Sequence, residues 1–410
     1  MRLNRASMPS RLGKRPSFPS SLQGEERDRT HRLSVSRLVL SHFRSYARGE
    51  LEADARPVVL VGPNGAGKTN LLDAISLLSP GRGLRGAKLG EHTRRGPAAP
   101  GEALWGVAAT VARGDETYEI GTGLTLGPGG GERRHVRLNG AAAQGSADLG
   151  EIIQMAWLTP AMDRLFIEGA SGRRKFLDRL AVGFDPGHAR RAARYEQAMR
   201  ERARLLKYGP RDPAWLDALE QEMAEAGVAL SVARAGAVSR LDHALTERGD
   251  AGSFPCAQLA LDGEADRLIA EDGENAQANL QTQFARNRAR DAETGRTLFG
   301  PHRSDLAVRH TSKRADAREC STGEQKALLI SMILAYAWEL SHMKAAPAPV
   351  LLLDEIAAHL DATRRAALFE EILALGAQAW MTGTDLSLFA PLSGRAQTFL
   401  VADDAFTRQD

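Results

Sequence analysis

A glycine-rich loop near the start of the chain restricts its fold more than any other feature of the sequence. Residues 62–69 read GPNGAGKT and match the pattern G-x-x-x-x-G-K-[ST]. The apolar run RPVVLVG at 56–62 precedes the loop and is typical of a buried parallel strand. Residues 68–80 follow it, with leucine and isoleucine at helical spacing before Pro80. This order of strand, loop and helix predicts a loop that binds phosphate groups at the N-terminus of a helix.

The loop carries the groups that a nucleoside triphosphate needs. Its glycines let successive backbone N–H groups point at the β- and γ-phosphates, where the helix dipole is positive. Lys68 is expected to contact the phosphate oxygens, and Thr69 is expected to offer its hydroxyl to Mg²⁺. The predicted ATP-binding residues are Gly62, Pro63, Asn64, Gly65, Ala66, Gly67, Lys68, Thr69 and Asn70.

The apolar run APVLLLDE at 348–355 predicts a second buried strand, which ends in two carboxylates. In a Walker B arrangement, Asp354 at the end of this strand lies beside the Mg²⁺ that Thr69 also binds. Glu355 is then placed to orient or deprotonate the water that attacks the γ-phosphate. An acidic pair after a strand usually only caps the next helix. The phosphate-binding loop in the same chain favours Thr69 and Asp354 as metal ligands and Glu355 as the catalytic base.

A third element, CSTGEQKALL from residue 320, opens a predicted helix at 322–342. Taken alone, its serine and the glutamate three residues later fit an ordinary capping box. The order of glycine loop, STGEQ, LLLDE and AHLD at 358–361 resembles the head domain of the ATP-binding-cassette (ABC) superfamily. The resemblance implies a signature motif that contacts the γ-phosphate of ATP bound by a second copy of the chain. The implied signature residues are Ser321, Thr322, Gly323, Glu324 and Gln325, with Asp361 in the D-loop.

Five stretches sharpen the match within that superfamily. They are LSHFRSY at 40–46, GRGLRG at 81–86, GRRKFLDR at 172–179, LFGPHRSDL at 298–306 and LLLDEIAAHLD at 351–361. Together they resemble the RecF family of bacterial recombination mediators, which is related to SMC proteins, over almost all of residues 33–405. The resemblance implies a weak ATPase that dimerises around ATP on double-stranded or gapped DNA and helps to load the recombinase in DNA repair and replication restart. It also implies RecR/RecO-type mediator proteins as partners.

The nucleotide site departs from the transporter pattern at the switch position. Transporter cassettes carry a switch histidine after the last core strand, whereas MTGTD at 381–385 leaves Thr382 or Thr384 to contact the γ-phosphate. A threonine in place of the switch histidine predicts slow hydrolysis of ATP. Gln154 is the candidate for the Gln-loop residue.

The GPHRSD block at 300–305 differs from the family as well, because Ser304-Asp305 replaces the usual Asp-Asp. His302 and Arg303 in the same block have two interpretations. They form either a turn at a strand end or a link between the inserted lobe and the nucleotide site.

Strand and helix patterns alternate at both ends of the chain, which predicts one parallel sheet built from separate segments. Residues 105–138 read as antiparallel strands, and helices at 187–207 and 213–247, joined by KYGPRDP, read as an αα-hairpin. The predicted fold class is α/β, a P-loop NTPase of the ABC-ATPase type with an antiparallel β subdomain and an inserted helical lobe. The predicted segments are a disordered tail at 1–32, an ATPase lobe with the β subdomain at 33–160, the helical lobe at 161–290 and a second ATPase lobe at 291–410.

Basic residues are concentrated on the first helix of the hairpin. Alone, such a run is typical of a solvated helix face with internal ion pairs, but the family resemblance favours DNA contacts directed at phosphates. The sequence shows no platform of interleaved aromatic residues, which favours duplex or junction DNA over single strands. A second basic cluster comprises Arg173, Arg174, Lys175 and Arg179. The predicted DNA-binding residues are Arg190, Arg191, Arg194, Arg200, Arg204 and Lys207.

Composition restricts the partners and the cellular setting that the sequence predicts. The formal net charge of +3 is a mild bias towards anionic partners, and two cysteines far apart in sequence indicate a reducing, cytoplasmic setting. No apolar run is long enough to span a bilayer, so no membrane association is expected. An SMC-like structural ATPase is the alternative function, and a transporter ATPase subunit is a weaker one.

Overall fold

The computed structural model describes residues 32–94, 104–126, 131–209, 212–249, 253–343, 347–357, 360–402 and 404–409. The predicted tail lies outside these ranges except for its last residue, and so do the first two residues of the AHLD stretch. No helix in the described ranges is long and apolar enough to cross a membrane.

A six-stranded sheet forms the centre of the molecule. Its strand order is β15-β14-β3-β13-β12-β8, in which every neighbouring pair is parallel except the pair at the β15 edge. The chain therefore builds this sheet from segments far apart in sequence, as alternation of strands and helices predicts. The strands are β3 (Val58–Val61), β8 (Met155–Leu158), β12 (Val350–Leu353), β13 (Ala379–Gly383), β14 (Gln397–Ala402) and β15 (Ala405–Arg408).

Both faces of the central sheet are covered. In β12, Val350 and Leu352 belong to one hydrophobic cluster, whereas Leu351 and Leu353 belong to another. Because successive side chains of a strand point to opposite faces, a strand buried on both faces reads as a continuous apolar run. The P-loop helix, Lys68–Ser76, packs on the first face, and the signature helix, Thr322–His342, packs on the second.

A second, antiparallel sheet shares the cluster with the P-loop helix. Its strand order is β2-β1-β4-β5-β6-β7, and its apolar side chains alternate with exposed ones, as expected for a sheet with one face in solvent. Its strands are β1 (Leu33–Phe43), β2 (Tyr46–Glu52), β4 (Trp105–Arg113), β5 (Glu116–Leu126), β6 (Glu132–Leu138) and β7 (Ala141–Ala142).

The middle of the chain is mainly helical. A hairpin of two helices, His188–Tyr208 and Pro213–Arg248, is its longest feature. The remaining α-helices of this region are Ala170–Phe184, Glu264–Asp272, Ala276–Arg286 and Arg288–Thr294. Helix Ala362–Ala374 follows near the C-terminus, and the short 3-10 helices are Leu89–His92, Ser146–Glu151, Pro160–Arg164, Gly273–Asn275, Pro301–Arg303, Ala317–Glu319 and Leu386–Leu392.

A small sheet that sequence analysis did not anticipate lies beside the long helix. Strand β9 (Ala257–Asp262) pairs antiparallel with β10 (Asp305–His310), which also pairs with β11 (Ala315–Asp316). These hydrogen bonds cross the predicted segment boundary at residue 290. The fold class predicted from the sequence is confirmed: parallel core, antiparallel β subdomain and helical insertion are all present.

Candidate nucleotide site

The phosphate-binding loop connects β3 to the P-loop helix and needs glycine at two positions. Gly65 and Gly67 have φ angles of 84° and 99°, in the region that side chains with a Cβ rarely adopt. A Cβ on Gly67 would lie 2.5 Å from the hydroxyl oxygen of Tyr46. The hydroxyl of Tyr46, the first residue of β2, donates to the carbonyl of Gly67 at 3.1 Å. This hydrogen bond joins the loop to the start of β2.

The ammonium group of Lys68 is folded onto the loop itself. Its Nζ donates to the carbonyls of Gly62 at 2.6 Å and Pro63 at 2.8 Å. Burial lowers the pKa of Lys68, while the nearby carboxylates of Glu355 and Asp354 act in the opposite direction. The cation is therefore held at the mouth of the loop, where phosphate oxygens would replace carbonyl oxygens as its partners.

Two threonine hydroxyls converge on Asp354 from different elements. Thr69 Oγ1 lies 3.0 and 3.1 Å from the two carboxylate oxygens of Asp354, and Thr382 Oγ1 lies 2.7 Å from one of them. Burial raises the pKa of the Asp354 carboxyl, the hydroxyls of Thr382 and Thr69 oppose this shift, and the charge of Glu355 adds to it. The end of β12, the end of β13 and the start of the P-loop helix thus meet at one carboxylate.

Glu355 follows Asp354 in a strained backbone conformation. Its φ of 51° lies in the left-handed region, which costs a non-glycine residue about 1–3 kcal/mol. Its N–H donates to Thr382 Oγ1 at 2.8 Å, which fixes the turn. The side chain is half-buried and raises the pKa of both Lys68 and Asp354, which places its charge near the loop.

The residues present fit ATP and a magnesium ion. A threonine hydroxyl and a carboxylate already lie within 3.1 Å of each other at the helix N-terminus, and both are oxygen ligands of the kind that Mg²⁺ prefers. The described residues contain no cluster of three or more metal-ligating side chains. A magnesium site of this type does not need one, because substrate phosphates and waters supply the remaining ligands.

A buried polar cluster behind the loop was not found from the sequence. Asp73 on the P-loop helix is fully buried and accepts a bond of 2.6 Å from Arg44 Nε, while His92 Nδ1 lies 3.3 Å from the same carboxylate oxygen. Burial alone would raise the pKa of Asp73, but His92 and Arg44 outweigh it and lower that pKa. Asn70 donates to Ser45 Oγ at 3.1 Å. These bonds tie the P-loop helix to the antiparallel sheet.

The signature segment is exposed. Ser321 is the N-cap of its helix, and its N–H donates to Glu324 at 3.0 Å, while Glu324 pairs with Lys313. Gln325 is buried and donates to the carbonyl of Cys320 at 3.1 Å. Thr322 and Gly323 are exposed. Within the described ranges, no hydrogen bond or ion pair joins these residues to the P-loop or to Asp354.

The other expected nucleotide contacts do not all lie at the edge of the sheet that holds Asp354. Thr384 is exposed just beyond β13, whereas Thr382 is buried and already bonded. Gln154 precedes β8, so it lies at the opposite end of that strand from Asp354, whose N–H bonds to Leu158 at the strand's carboxyl end. Its side chain donates to the carbonyl of Gly150 instead, so the expectation for Gln154 is wrong. Asp361 caps the helix Ala362–Ala374 by accepting from Arg364 N at 2.9 Å.

Most of the arginines predicted to bind DNA have carboxylate partners. Arg190 pairs with Asp148 at 2.9 Å, Arg191 with Asp185, Arg194 with Glu222 at 2.9 Å and Glu225 at 3.1 Å, and Arg200 with Glu196 at 3.3 Å. Arg204 and Lys207 are exposed near the end of the same helix. The second basic cluster is largely internal: Arg173 pairs with Asp305 at 2.7 Å, and Arg179 lies 4.0 Å from the ring centroid of Trp157.

The GPHRSD block is bound to the helical region. His302 Nε2 donates to the carbonyl of Thr297 at 2.8 Å, and the hydroxyl of Tyr195 donates to His302 Nδ1 at 2.8 Å. Ser304 donates to Asp266. Burial lowers the pKa of His302 to about 4, so the ring is neutral and can take both roles. His302 lies in the 3-10 turn Pro301–Arg303 just before β10, as the first interpretation has it. Its two hydrogen-bond partners, Tyr195 and Thr297, lie in the helical region and do not belong to the nucleotide site.

Comparison with known proteins agrees with the fold. The family model described as "RecF/RecN/SMC N terminal domain" matches residues 34–389. The DNA replication and repair protein RecF of Rhizobium etli (strain CIAT 652) is 48% identical over 373 residues, which cover 91% of this chain and 98% of that protein. The protein of the same name from Caulobacter vibrioides is 50% identical over 381 residues, 90% of this chain and 97% of that protein.

Solved structures show the same architecture at lower identity. A structure titled as the recombination mediator protein RecF with ATP in the RecFOR pathway has a TM-score of 0.76 at 22% identity and covers 93% of this chain and 99% of its own. The Smc head domain derived from Pyrococcus furiosus has a TM-score of 0.50 at 16% identity, over 92% of this chain and 96% of its own. The curated relatives and the solved structures agree with the family model, and the chain belongs to the RecF family.

Proposed function

We propose that this protein is an ATP-controlled, DNA-binding recombination mediator. Its curated relatives carry the name DNA replication and repair protein, and the RecF structures that share its fold are titled as mediators of the RecFOR pathway. In this proposal the protein binds double-stranded and gapped DNA when ATP is bound and helps to load the recombinase, with RecR/RecO-type proteins as partners.

The observation that carries the proposal is the separation of two phosphate-binding elements in one chain. The P-loop, Asp354 and Thr382 form one connected site, whereas Ser321 and Gly323 stand exposed at the N-terminus of another helix. A helix N-terminus with free N–H groups is suited to an anion. A second copy of the chain supplies that anion as the γ-phosphate of its own ATP, so ATP joins two copies.

In this account Lys68 and the loop N–H groups hold the β- and γ-phosphates, and Thr69 and Asp354 hold Mg²⁺, which neutralises phosphate charge. Glu355 is the base that orients or deprotonates the attacking water. Thr384, rather than the buried Thr382, is placed to reach the γ-phosphate. Hydrolysis without a switch histidine is slow, and ATP serves mainly to favour the dimer through contacts that the monomer lacks.

Substitutions in the signature test this account. Ser321→Arg and Gly323→Asp should each bind a fluorescent ATP analogue as the unmodified protein does but fail to dimerise with ATP in sedimentation velocity. A Cβ on Gly323 meets no atom within 4 Å, so aspartate fits the monomer. Gly236→Asp, at an exposed helical glycine that is equally open, is the matched control and should dimerise normally. ATP-dependent dimers of both signature variants would contradict the proposal.

A further inference from the structure

The tip of the helical hairpin carries two large aromatic side chains in solvent. Tyr208 ends the first helix, and Trp215 lies in the first turn of the second. Their exposed fractions are 76% and 52%, and Tyr208 has the highest value of any large apolar side chain in the described ranges. Both rings lie at the same end of the hairpin, where exposed apolar surface indicates a candidate contact site.

The packing of the hairpin does not need these rings. Leu205 and Leu206 on the first helix and Leu216 and Leu219 on the second fill the interface between the helices and belong to one buried cluster. Tyr208 and Trp215 project outside that cluster. Replacement of either ring therefore removes surface and leaves the core of the hairpin intact.

The surroundings of the two rings are positively charged. Arg204 lies three residues before Lys207 and four residues before Tyr208, which places all three on one face of the helix. Lys207 Nζ lies 4.9 Å from the centroid of the Tyr208 ring. Unlike the five arginines nearer the start of this helix, Arg204 and Lys207 have no carboxylate within 4 Å among the residues that the structure describes.

The two acidic residues nearest the tip in sequence are already engaged. Asp212 caps the second helix and accepts from Ala214 N at 2.9 Å. Asp217 pairs with Arg288, whose Nη2 lies 2.5 Å from it. Arg204 and Lys207 bring two positive charges to the tip, against the single charge of Asp212, which has no cationic partner among the described residues, so the charge at the tip is positive on balance.

We propose that this tip, formed by Arg204, Lys207, Tyr208 and Trp215, binds the unpaired strand of gapped DNA. Exposed aromatic rings stack on unpaired bases of any sequence, and neighbouring cations neutralise the phosphates between them. The inference rests on the proposed function and names where the single-stranded part of its DNA is held. The sequence pattern did not show the platform, because the two rings lie on different helices of the hairpin.

Tryptophan fluorescence provides a direct test. Trp105, Trp157 and Trp380 are buried and Trp338 is half-buried, so Trp215 is the tryptophan most open to solvent. An oligo-deoxythymidine strand should quench the fluorescence of the unmodified protein, and the quenching should disappear in Trp215→Phe. Quenching that persists in Trp215→Phe would place the strand elsewhere.

Fluorescence anisotropy with ATP provides the second test, on labelled gapped duplex and on intact duplex of equal length. Tyr208→Ala combined with Trp215→Ala should weaken binding to the gapped duplex by about thirtyfold or more, the effect of losing two stacking rings, and leave intact duplex within about twofold. Val232→Ala, at an exposed position further along the second helix, is the matched control and should bind both DNAs normally.

Other results would overturn the inference. Unchanged binding of gapped duplex by the double variant, or equal losses on both DNAs, would show that the rings do not hold unpaired bases. Normal DNA binding with lost binding of a mediator protein would make the tip a protein-docking surface. If the unmodified protein with ATP bound neither DNA, the proposed function would be contradicted as well. If the unmodified protein bound gapped DNA and the variants bound it equally well, only the inference about the tip would be contradicted.

Discussion

The hydroxyl of Thr382 lies between the two acidic residues at the end of β12. It donates to Asp354 and accepts from the N–H of Glu355, so both of its hydrogen-bonding roles are used inside a fully buried position. A valine in this place would keep the shape and lose both bonds. Substitutions of Thr382 can therefore distinguish between two roles: support of Asp354, the proposed metal ligand, and direct contact with the nucleotide.

Thr382→Val should lower the free energy of unfolding by about 1–3 kcal/mol, because it leaves a buried carboxylate and a buried N–H short of a partner. ATP hydrolysis should fall while ATP affinity changes little, since the threonine orients Asp354 and Glu355. Urea unfolding and steady-state hydrolysis measure the two effects. Thr382→Ser keeps the hydroxyl and should restore both, and a large loss of ATP affinity in the valine variant would instead favour direct phosphate contact.

The buried His302 makes the stability of the folded protein depend on pH. Burial lowers its folded pKa to about 4, below the value of about 6.5 for an exposed histidine. The unfolded chain therefore binds the proton more readily, and stability is lost as the pH falls from about 6.5 towards 4. The loss should reach about 3 kcal/mol at most, since one pKa unit corresponds to about 1.4 kcal/mol.

Urea unfolding at pH 7, 6 and 5 checks this expectation. His302→Gln should flatten the dependence over that range, although it lowers stability at pH 7. His243→Gln, at an exposed histidine, should keep the dependence of the unmodified protein. An equally steep dependence in His302→Gln would assign the proton to another group.

At the scale of elements, the first helix of the hairpin contains two arginines with contrasting roles. Arg202 is fully buried and bonds to Glu220 at 2.8 Å and Asp291 at 2.7 Å, joining three helices of the lobe. Arg200, two residues earlier, makes an exposed pair with Glu196. The same residue type is thus a structural centre at one position and a surface group at the other.

Arg202→Met should destabilise the protein by about 3–5 kcal/mol, because it removes the cation that pairs with the buried Asp291 and leaves Glu220 with Arg288 alone. Arg200→Met should change stability by about 0.5 kcal/mol or less, as expected for an exposed pair of residues four apart. Thermal and urea unfolding of the two variants measure the contrast. Equal losses of stability in the two variants would contradict the structural role of the buried ion pairs around Arg202.

Local signals explain which elements the sequence could predict. The signature helix begins and ends where predicted, at 322 and 342, because Ser321 and Glu324 form a capping box. The two helices of the hairpin agree within one residue, because Asp212 and Pro213 mark the turn between them. Strand β9 was missed, since its pairing depends on β10, which lies more than 40 residues later in the chain.

The same distinction holds for the site. Thr69, Asp354 and the signature lie in motifs whose spacing is visible in the sequence. The Asp73 cluster and the hydroxyl of Thr382 depend on contacts between segments far apart, which no local pattern reveals. Gln154 was misplaced because a strand's position in sequence does not show which of its ends faces the nucleotide edge.

At the scale of the whole molecule, the parallel sheet gathers the P-loop, Asp354 and the residues after β13 at one edge, while the signature points away into solvent. In the proposed dimer, the P-loop of one copy and the exposed signature of the other act on the same ATP. DNA binding that follows dimerisation is then the expected output of ATP binding.

Binding of gapped duplex DNA across a series of salt concentrations, with ATP, with ADP and without nucleotide, tests this central claim most directly. The protein concentration should span the transition from monomer to dimer as measured by sedimentation. The account predicts that ATP alone tightens DNA binding, in step with dimerisation, and that affinity falls steeply with salt because phosphates are the main contacts. DNA binding that is the same with ATP, with ADP and without nucleotide would contradict it.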